Sequence, residues 1–154
     1  MNIMIDTGHS LLKAAHPACD LPADNTRESI GRELGAWHAT GLRIAIWWDA
    51  GESAAFLETH GVDAHRFPIV VDSDPASAGR FVAGTGQPIR SPGWLLENPV
   101  DIILIPCQWR AAAIVCEIDA AGIAYEGILI PHAGRLVDFQ AADHPYHRRE
   151  TVLA

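Results

Sequence analysis

Short apolar runs alternate with helical spacing of apolar residues over most of the chain. The runs with the length of buried strands are residues 42–48, 67–71, 101–105 and 127–130. The segments with helical spacing or helix-start signals are residues 25–41, 52–60, 94–97 and 108–121. Apolar strands separated by helices are typical of a parallel sheet covered on both faces. The pattern therefore predicts an α/β fold, built as a three-layer sandwich with helices on both faces of a parallel sheet.

The same pattern divides the chain into three parts. We expect an N-terminal arm over residues 1–24, a single α/β domain over 25–142 and a polar tail over 143–154 that frays. A glycine- and proline-rich loop from Asp72 to Pro92 interrupts the domain. A chain of 154 residues buries about 70% of the surface that its unfolded form exposes. Folding therefore requires neither disulfides nor a structural metal.

The amino-acid composition limits the kinds of binding partner and the cellular compartment that we expect. The 19 acidic and 11 basic residues give a net charge of −8, which disfavours nucleic acid, because binding to phosphates draws on clustered Lys and Arg. Three cysteines without a C-x-x-C pair are typical of a reducing compartment. The N-terminus lacks the pattern of a signal peptide, and no apolar run approaches the ~20 residues that cross a bilayer. We expect a cytoplasmic protein without a membrane partner.

Any small-molecule site is predicted at the carboxyl edge of the sheet. Right-handed crossovers bring the loops that follow parallel strands to this edge, where open α/β sheets bind ligands. The bordering loops are Asp49–Ser53, Asp72–Thr85 and Cys107–Trp109. The candidate ligand-binding residues in them are Asp49, Gly51, Ser53, Asp72, Asp74, Gly84, Thr85, Gln108 and Trp109.

The first of these loops departs from a dinucleotide-binding loop. It holds one glycine, Gly51, where G-x-G-x-x-G would supply three, and Asp49 and Glu52 place negative charge where phosphates would sit. Two interpretations remain open. The loop is either a modified nucleotide loop that uses amides near Gly51 and the hydroxyl of Ser53, or an ordinary acidic helix start.

The other two loops also allow two interpretations each. Asp72 lies 21 positions after Gly51, close to the offset at which an acidic side chain reaches a ribose hydroxyl, but Asp72–Pro75 is also good turn chemistry. Trp109 could offer a stacking surface, although core packing is the commoner use of tryptophan. Cys107 precedes a helix and is either a nucleophile or, more commonly, a buried inert thiol.

Metal ligation and catalysis find little support in the sequence. His16 with Cys19 and His144 with His147 are spaced as ligand pairs, but zinc needs three or four ligands. No P-loop and no G-x-S-x-G motif occurs. We therefore assign no metal and no catalytic residue.

The long loop and its neighbours carry a family resemblance. VVDSDPASAGR over Val70–Arg80, GTGQPI over Gly84–Ile89, Ser91-Pro92, and the strand and tryptophan loop Asp101–Trp109 are the matching segments. Across about residues 41–138 the chain resembles the Rossmann-like C-terminal domain of SAM-dependent sugar C-methyltransferases. The resemblance implies a domain that helps to hold a nucleotide-linked sugar, while a preceding domain binds SAM and contributes catalytic residues. The loop residues that carry over by position are Asp72, Asp74, Pro75, Gly79, Gly84 and Thr85.

Three functions follow as hypotheses. The first is a nucleotide-sugar-binding domain that is not catalytic alone and obtains SAM only through a partner domain or a methyltransferase chain. The second is a stand-alone enzyme that binds SAM or NAD(P), and the third is a structural or interaction module that has lost its ligand. If the chain is part of an enzyme, that enzyme is expected to be a SAM-dependent C-methyltransferase.

Overall fold

A computed structural model describes residues 26–49 and 52–147. The helices are α1 (Thr26–Ala39), α2 (Glu52–His60), α3 (Trp94–Glu97) and α4 (Ala111–Ala120), with 3-10 turns at Gln108–Arg110 and Pro145–His147. The strands are β1 (Ile44–Trp47), β2 (Ile69–Val71), β3 (Ile89–Arg90), β4 (Ile102–Leu104), β5 (Gly127–His132) and β6 (Arg135–Asp138). Each predicted strand and helix is present, with its ends shifted by a few residues.

The strands form one sheet in the order β3-β2-β1-β4-β5-β6. Five strands run parallel, and β6 alone is antiparallel to its neighbour. In the centre, Ala45 of β1 is paired with Ile69 of β2 on one side and with Ile103 of β4 on the other. The parallel sheet is confirmed. The chain adds β2 and β3 on one side of β1 and then places β4, β5 and β6 on its other side. The position between β1 and β4 is therefore the topological switch point.

Side chains of the central strands alternate between two cores. Ile44 and Ile46 of β1 pack with residues of α1 and α2 on one face, among them Leu34. Ala45 and Trp47 pack on the opposite face with residues of α3 and α4. A strand that is buried on both faces is apolar at every position, which is why the runs in the sequence do not alternate with polar residues. The predicted three-layer, Rossmann-like sandwich is confirmed.

Gly61 and Gly122 directly follow two of the predicted helical segments and end the helices found there. Gly61 and Gly122 adopt φ angles of +65° and +75°, a conformation that other residues rarely reach. The residue after each glycine donates its N–H to a carbonyl five positions earlier, Val62 to Leu57 at 3.0 Å and Ile123 to Ile118 at 3.2 Å. This is the hydrogen bond of a Schellman motif, and it satisfies carbonyls that the helix end leaves unpaired.

Two strands were not predicted. β3 has two residues and lies within the stretch predicted as a loop. β6 is joined to β5 by Ala133 and Gly134, whose φ angles of +52° and +79° fit the two-residue turns that suit the twist of a hairpin. Ala-Gly is not a typical hairpin signal, so the local sequence did not point to this turn.

The predicted tail begins with residues that pack against the domain. His144 is 8% exposed, and the 3-10 turn at Pro145–His147 lies against the 3-10 turn at Gln108–Arg110. The structure thus places residues of the predicted tail against the domain, and the expected fraying stays a prediction. The predicted arm, the helix-capping residue Asn25, the His16 and Cys19 pair, and the tail from residue 148 lie outside the described residues. Within the described part of the chain, no helix is both long enough and apolar enough to cross a membrane.

Candidate functional site

The loops that follow β1 and β4 meet at the switch point. Nη1 of Arg110 lies 3.3 Å from Oδ2 of Asp49, across a separation of 61 positions in sequence. The two side chains are 55% and 26% exposed, so water reaches the ion pair. An ion pair of this exposure contributes only about 0–1 kcal/mol to stability. A ligand anion could therefore replace Asp49 at the guanidinium of Arg110 with little loss to the fold.

Ser53 fixes the first loop from inside. Its side chain is buried, and its Oγ accepts the N–H of Asp49 at 2.8 Å. The N–H of Ser53 in turn donates to the carbonyl of Asp49 at 2.9 Å. This reciprocal pair supports the interpretation of an ordinary helix start, with Ser53 orienting Asp49 at the crevice. Gly51, the other candidate in this loop, lies outside the described residues.

Trp109 stands at the surface beside this ion pair. Its side chain is 60% exposed, so the expectation that it packs in the core is wrong. The 3-10 turn at Gln108–Arg110 is the reason, because it leaves Gln108 half-buried and turns Trp109 outward before Ala111 enters the core. The exposed ring fits the alternative interpretation of a stacking surface.

An aromatic and imidazole cluster from the predicted tail adjoins Trp109. The ring centroid of Tyr146 lies 5.8 Å from that of Trp109 and 5.4 Å from that of His132, at the end of β5. His144 stacks on Tyr146 at 5.6 Å and on His147 at 4.1 Å. Sequence reasoning missed this cluster, because a polar segment near a terminus is normally solvated. The available signal was Tyr146, an aromatic residue in the middle of that segment.

Two aspartates of the second loop hold a turn. Oδ1 of Asp72 accepts the N–H of Asp74 at 2.9 Å, and Oδ1 of Asp74 accepts the N–H of Ala76 at 3.0 Å. The N–H of Asp72 donates to the carbonyl of Arg90 at 3.0 Å, which keeps Asp72 at the carboxyl ends of β2 and β3. These bonds support the turn interpretation, while the position of Asp72 keeps it at the predicted edge.

Gly84 and Thr85 lie away from that edge. Thr85 donates its hydroxyl to the side-chain oxygen of the buried Gln87, whose Nε2 donates to the carbonyl of Phe67 at 3.0 Å. Phe67 precedes β2, so this contact is at the amino end of the strand. β3 runs parallel to β2, and the chain must return to the amino end before β3 begins. The prediction that the loop borders the carboxyl edge as far as Thr85 is therefore wrong in its second half.

A cavity of about 570 Å³ lies beside β3. Its lining includes Phe81, whose side chain is 64% exposed, together with Arg90 and Trp94. The guanidinium carbon of Arg90 lies 4.9 Å from the ring centroid of Trp94, within the range of a cation–π contact. A cation beside aromatic surfaces suits a planar or anionic group.

Nucleophilic and metal chemistry receive no support from the described residues. Cys107 is 3% exposed, the environment of an inert thiol. In residues 26–49 and 52–147, no group of three or more His, Cys, Asp or Glu side chains is arranged to hold a metal ion.

The mostly parallel sheet, its switch point and its two helical layers define a Rossmann-like α/β domain. Residues 19–131 match the family of C-methyltransferase C-terminal domains, and the chain belongs to this family. No curated protein is significantly similar to the chain. The family resemblance of the long loop is thereby confirmed, and the match ends before β6 and before the tail residues that adjoin Trp109.

Proposed function

We propose that the chain binds a nucleotide-linked sugar at the carboxyl edge of its sheet, as the substrate-side domain of a sugar C-methyltransferase. The observation that carries this proposal is that Arg110 and Trp109, neighbours in sequence, are both exposed in the loop after β4, at the switch point of a domain of this family. A cation and an exposed aromatic ring stand together where Rossmann-like sheets bind ligands.

The chemistry of a nucleotide sugar fits these side chains. Its diphosphate would replace Asp49 as the partner of Arg110, because the diphosphate carries the stronger negative charge. Its base would stack on Trp109. The carboxylates of Asp49 and Asp72 would then accept hydrogen bonds from hydroxyl groups of the sugar or the ribose. Each group of the ligand meets a residue of matching chemistry along one edge.

The same edge disfavours SAM or NAD(P) as the chain's own cofactor. The loop after β1 has one glycine and begins with Asp49, whereas a pyrophosphate needs close approach of backbone amides at a helix start. The proposal therefore leaves SAM to a partner domain or chain, and this chain to substrate binding.

Isothermal titration calorimetry with dTDP-glucose, SAM and NAD tests the proposal. We expect saturable binding of dTDP-glucose and none of SAM or NAD. Trp109→Ala should weaken binding by about 1–3 kcal/mol through lost stacking. Arg110→Gln should weaken it by about 1.5–3 kcal/mol through lost charge-assisted hydrogen bonds.

Two matched variants serve as controls. Leu96→Ala removes a side chain that is 54% exposed on α3, and Arg80→Gln removes an exposed cation of the long loop. Both should bind dTDP-glucose as the unaltered chain does. Binding of SAM or NAD in place of dTDP-glucose would favour the stand-alone enzyme, and binding of none of the three would favour the interaction module.

A further inference from the structure

A second cavity lies at the amino edge of the sheet, opposite the switch point. It has a volume of about 270 Å³ and is lined by the first residues of β1 and β2, Ile44 and Ile69. Four of its lining side chains are basic or imidazole groups, and they are His38, Arg43, His65 and Arg66. None of its lining residues is acidic, although the whole chain carries a net charge of −8. The lining is therefore rich in basic side chains, although two carboxylates adjoin it: Asp101 accepts the backbone N–H of Arg43 at 2.8 Å, and Asp63 pairs with Arg66.

Helix capping explains only part of this concentration. α1 and α2 end nearby, and helix carboxyl ends attract cations. Nη2 of Arg66 donates to the carbonyl of Gly61 at 3.1 Å, and its Nε lies 3.5 Å from Asp63, so this side chain has a structural role.

The end of α1 needs no such cation. The carbonyls of Trp37 and His38 already accept the N–H groups of Thr40 and Gly41 at 3.0 and 3.2 Å. Arg43 donates through Nε to the carbonyl of Pro99 at 3.0 Å, in a loop on the other side of β1. In the described part of the chain, the terminal nitrogens of Arg43 have no carboxylate partner. Arg43 and the two histidines thus exceed what capping requires.

Three of the four basic groups, His38, Arg43 and Arg66, contact other parts of the chain before any ligand arrives. The ring of the buried Phe67 lies 5.9 Å from the ring of His38 and 5.6 Å from the guanidinium carbon of Arg66. The bond to Pro99 restrains Arg43 in the same way. Side chains that are already ordered lose less conformational entropy on binding, which favours affinity.

We propose that this cavity binds a phosphate dianion, either free or as the phosphate group of an ester. Guanidinium groups supply charge-assisted hydrogen bonds to phosphate oxygens, and imidazoles donate further bonds. The volume is close to the lower limit of ligand pockets, about 300 Å³, which suits a tetrahedral anion with a small substituent. The site is separate from the carboxyl edge and does not depend on the function proposed there.

Nuclear magnetic resonance of the 15N-labelled chain in a phosphate-free buffer tests the proposal. Inorganic phosphate, glycerol phosphate and dTDP-glucose are titrated separately, with chloride at matched ionic strength. We expect saturable shifts of the Arg43 and Arg66 Nε–H signals and of the His65 amide with phosphate or its monoester. The tighter of these two ligands identifies the free or the esterified form.

Variants distinguish binding of phosphate at a specific site from general attraction of phosphate to basic side chains. Arg43→Gln should raise the dissociation constant for phosphate at least fivefold, and His65→Gln should raise it by a smaller factor. Arg43→Lys retains the charge and should lose less than Arg43→Gln. Arg80→Gln, the exposed cation on the long loop, should leave the constant unchanged.

The outcomes distinguish this site from the one at the carboxyl edge. Shifts at Arg43 and His65 with phosphate support the anion site, whether or not dTDP-glucose shifts the indole signal of Trp109. Shifts that do not saturate, that spread equally over all arginines, or that survive Arg43→Gln unchanged overturn it. Absence of any Trp109 shift with dTDP-glucose counts against the carboxyl-edge proposal alone.

Discussion

At the scale of single residues, two hydrogen bonds fix the tautomer and the charge of His144. Its Nδ1 accepts the N–H of Tyr146 at 3.1 Å, and its Nε2 lies 2.8 Å from the carbonyl of Phe139. The N–H can only donate and the carbonyl can only accept, so the neutral Nε2–H form satisfies both. A protonated ring would present a second N–H to Tyr146 and break the bond that holds this turn.

The surroundings of His144 also disfavour its charged form. Burial lowers the pKa of His144 below its usual value, and the neighbouring His147 and His132 lower it further. The carbonyl of Phe139 and the carboxylate of Asp143 oppose this lowering without reversing it. The folded chain therefore binds fewer protons at this site than the unfolded chain, whose histidine has a pKa near 6.5.

This difference predicts a loss of stability in acid. The contribution of His144 is fully present above about pH 6.5 and is lost as the pH falls from there through the lowered pKa of the folded state. His144→Gln cannot titrate, so the difference in free energy of unfolding between the original chain and this variant should shrink from pH 7.5 to pH 5.5. Urea unfolding at the two values measures it.

An exposed residue without a titratable group provides the comparison. The free energy of unfolding of Leu96→Ala should differ from that of the original chain by the same amount at both pH values. If the difference in free energy of unfolding between the original chain and His144→Gln stays constant or grows in acid, the result would contradict a neutral His144 in the folded state.

At the scale of elements, Glu33 ties α1 to β6. Its side chain is fully buried, its Oε1 accepts the N–H of Leu136 at 2.8 Å, and its Oε2 pairs with the guanidinium of Arg135. Arg135 is 34% exposed and can return to water, whereas the N–H of Leu136 is buried. β6 is an edge strand, so this carboxylate is a principal polar link between the strand and the helical layer.

Removal of this carboxylate should destabilise the domain. We expect Glu33→Ala to lower the free energy of unfolding by roughly 2–3 kcal/mol, because the charged hydrogen bond from the carboxylate to a buried N–H is lost. Urea unfolding at pH 7.5 measures the change, and hydrogen exchange should show faster exchange at Leu136 and Val137 in β6.

Two further variants distinguish the effect of losing the carboxylate from the effect of the substitution on helix propensity. Glu33→Gln keeps an acceptor for Leu136 and should lose less than Glu33→Ala. Glu117→Ala removes an exposed glutamate from α4 and should change stability by less than about 0.5 kcal/mol. Equal losses for Glu33→Ala and Glu117→Ala would refute the role of Glu33 as a link.

At the scale of the whole molecule, we expect that the purified chain alone does not transfer a methyl group from SAM to a sugar nucleotide. Methylation at a sugar carbon needs a base beside a carbonyl and a docking site for the methyl donor. The loop after β1 is poor in glycine, and the family match identifies a C-terminal domain. Incubation with labelled SAM and a keto-sugar nucleotide, followed by product analysis, measures the transfer.

The result expected is binding of the sugar nucleotide without turnover. Measurable turnover by this polypeptide without partners, lost in Asp72→Ala, would overturn the prediction and assign the chemistry to the carboxyl edge. Asp74→Ala changes a neighbouring turn residue and shows whether such a loss is specific to Asp72 or follows from any change in this loop.

The sequence predicted the elements that depend on local patterns. The runs over β1, β2, β4 and β5 are apolar because both faces of a central strand are buried, and Gly61 and Gly122 end their helices through their own backbone freedom. β3 and β6 escaped prediction. β3 is two residues long, and the turn before β6 uses Ala133 in place of the usual turn residues.

By itself, the sequence determined the layered α/β fold, the edge where its loops converge and the family to which the chain belongs. The tertiary structure alone decided that Arg110 meets Asp49, that Glu33 is buried against β6, and that His144 packs beside Tyr146. The local periodicity of the sequence indicates which face of a helix or strand is apolar, and this periodicity depends only on residues that are close in sequence. The first two contacts join residues 61 and 102 positions apart, and a polar side chain has no periodic pattern that names such a distant partner. Their pairing follows only once the strands and helices have packed.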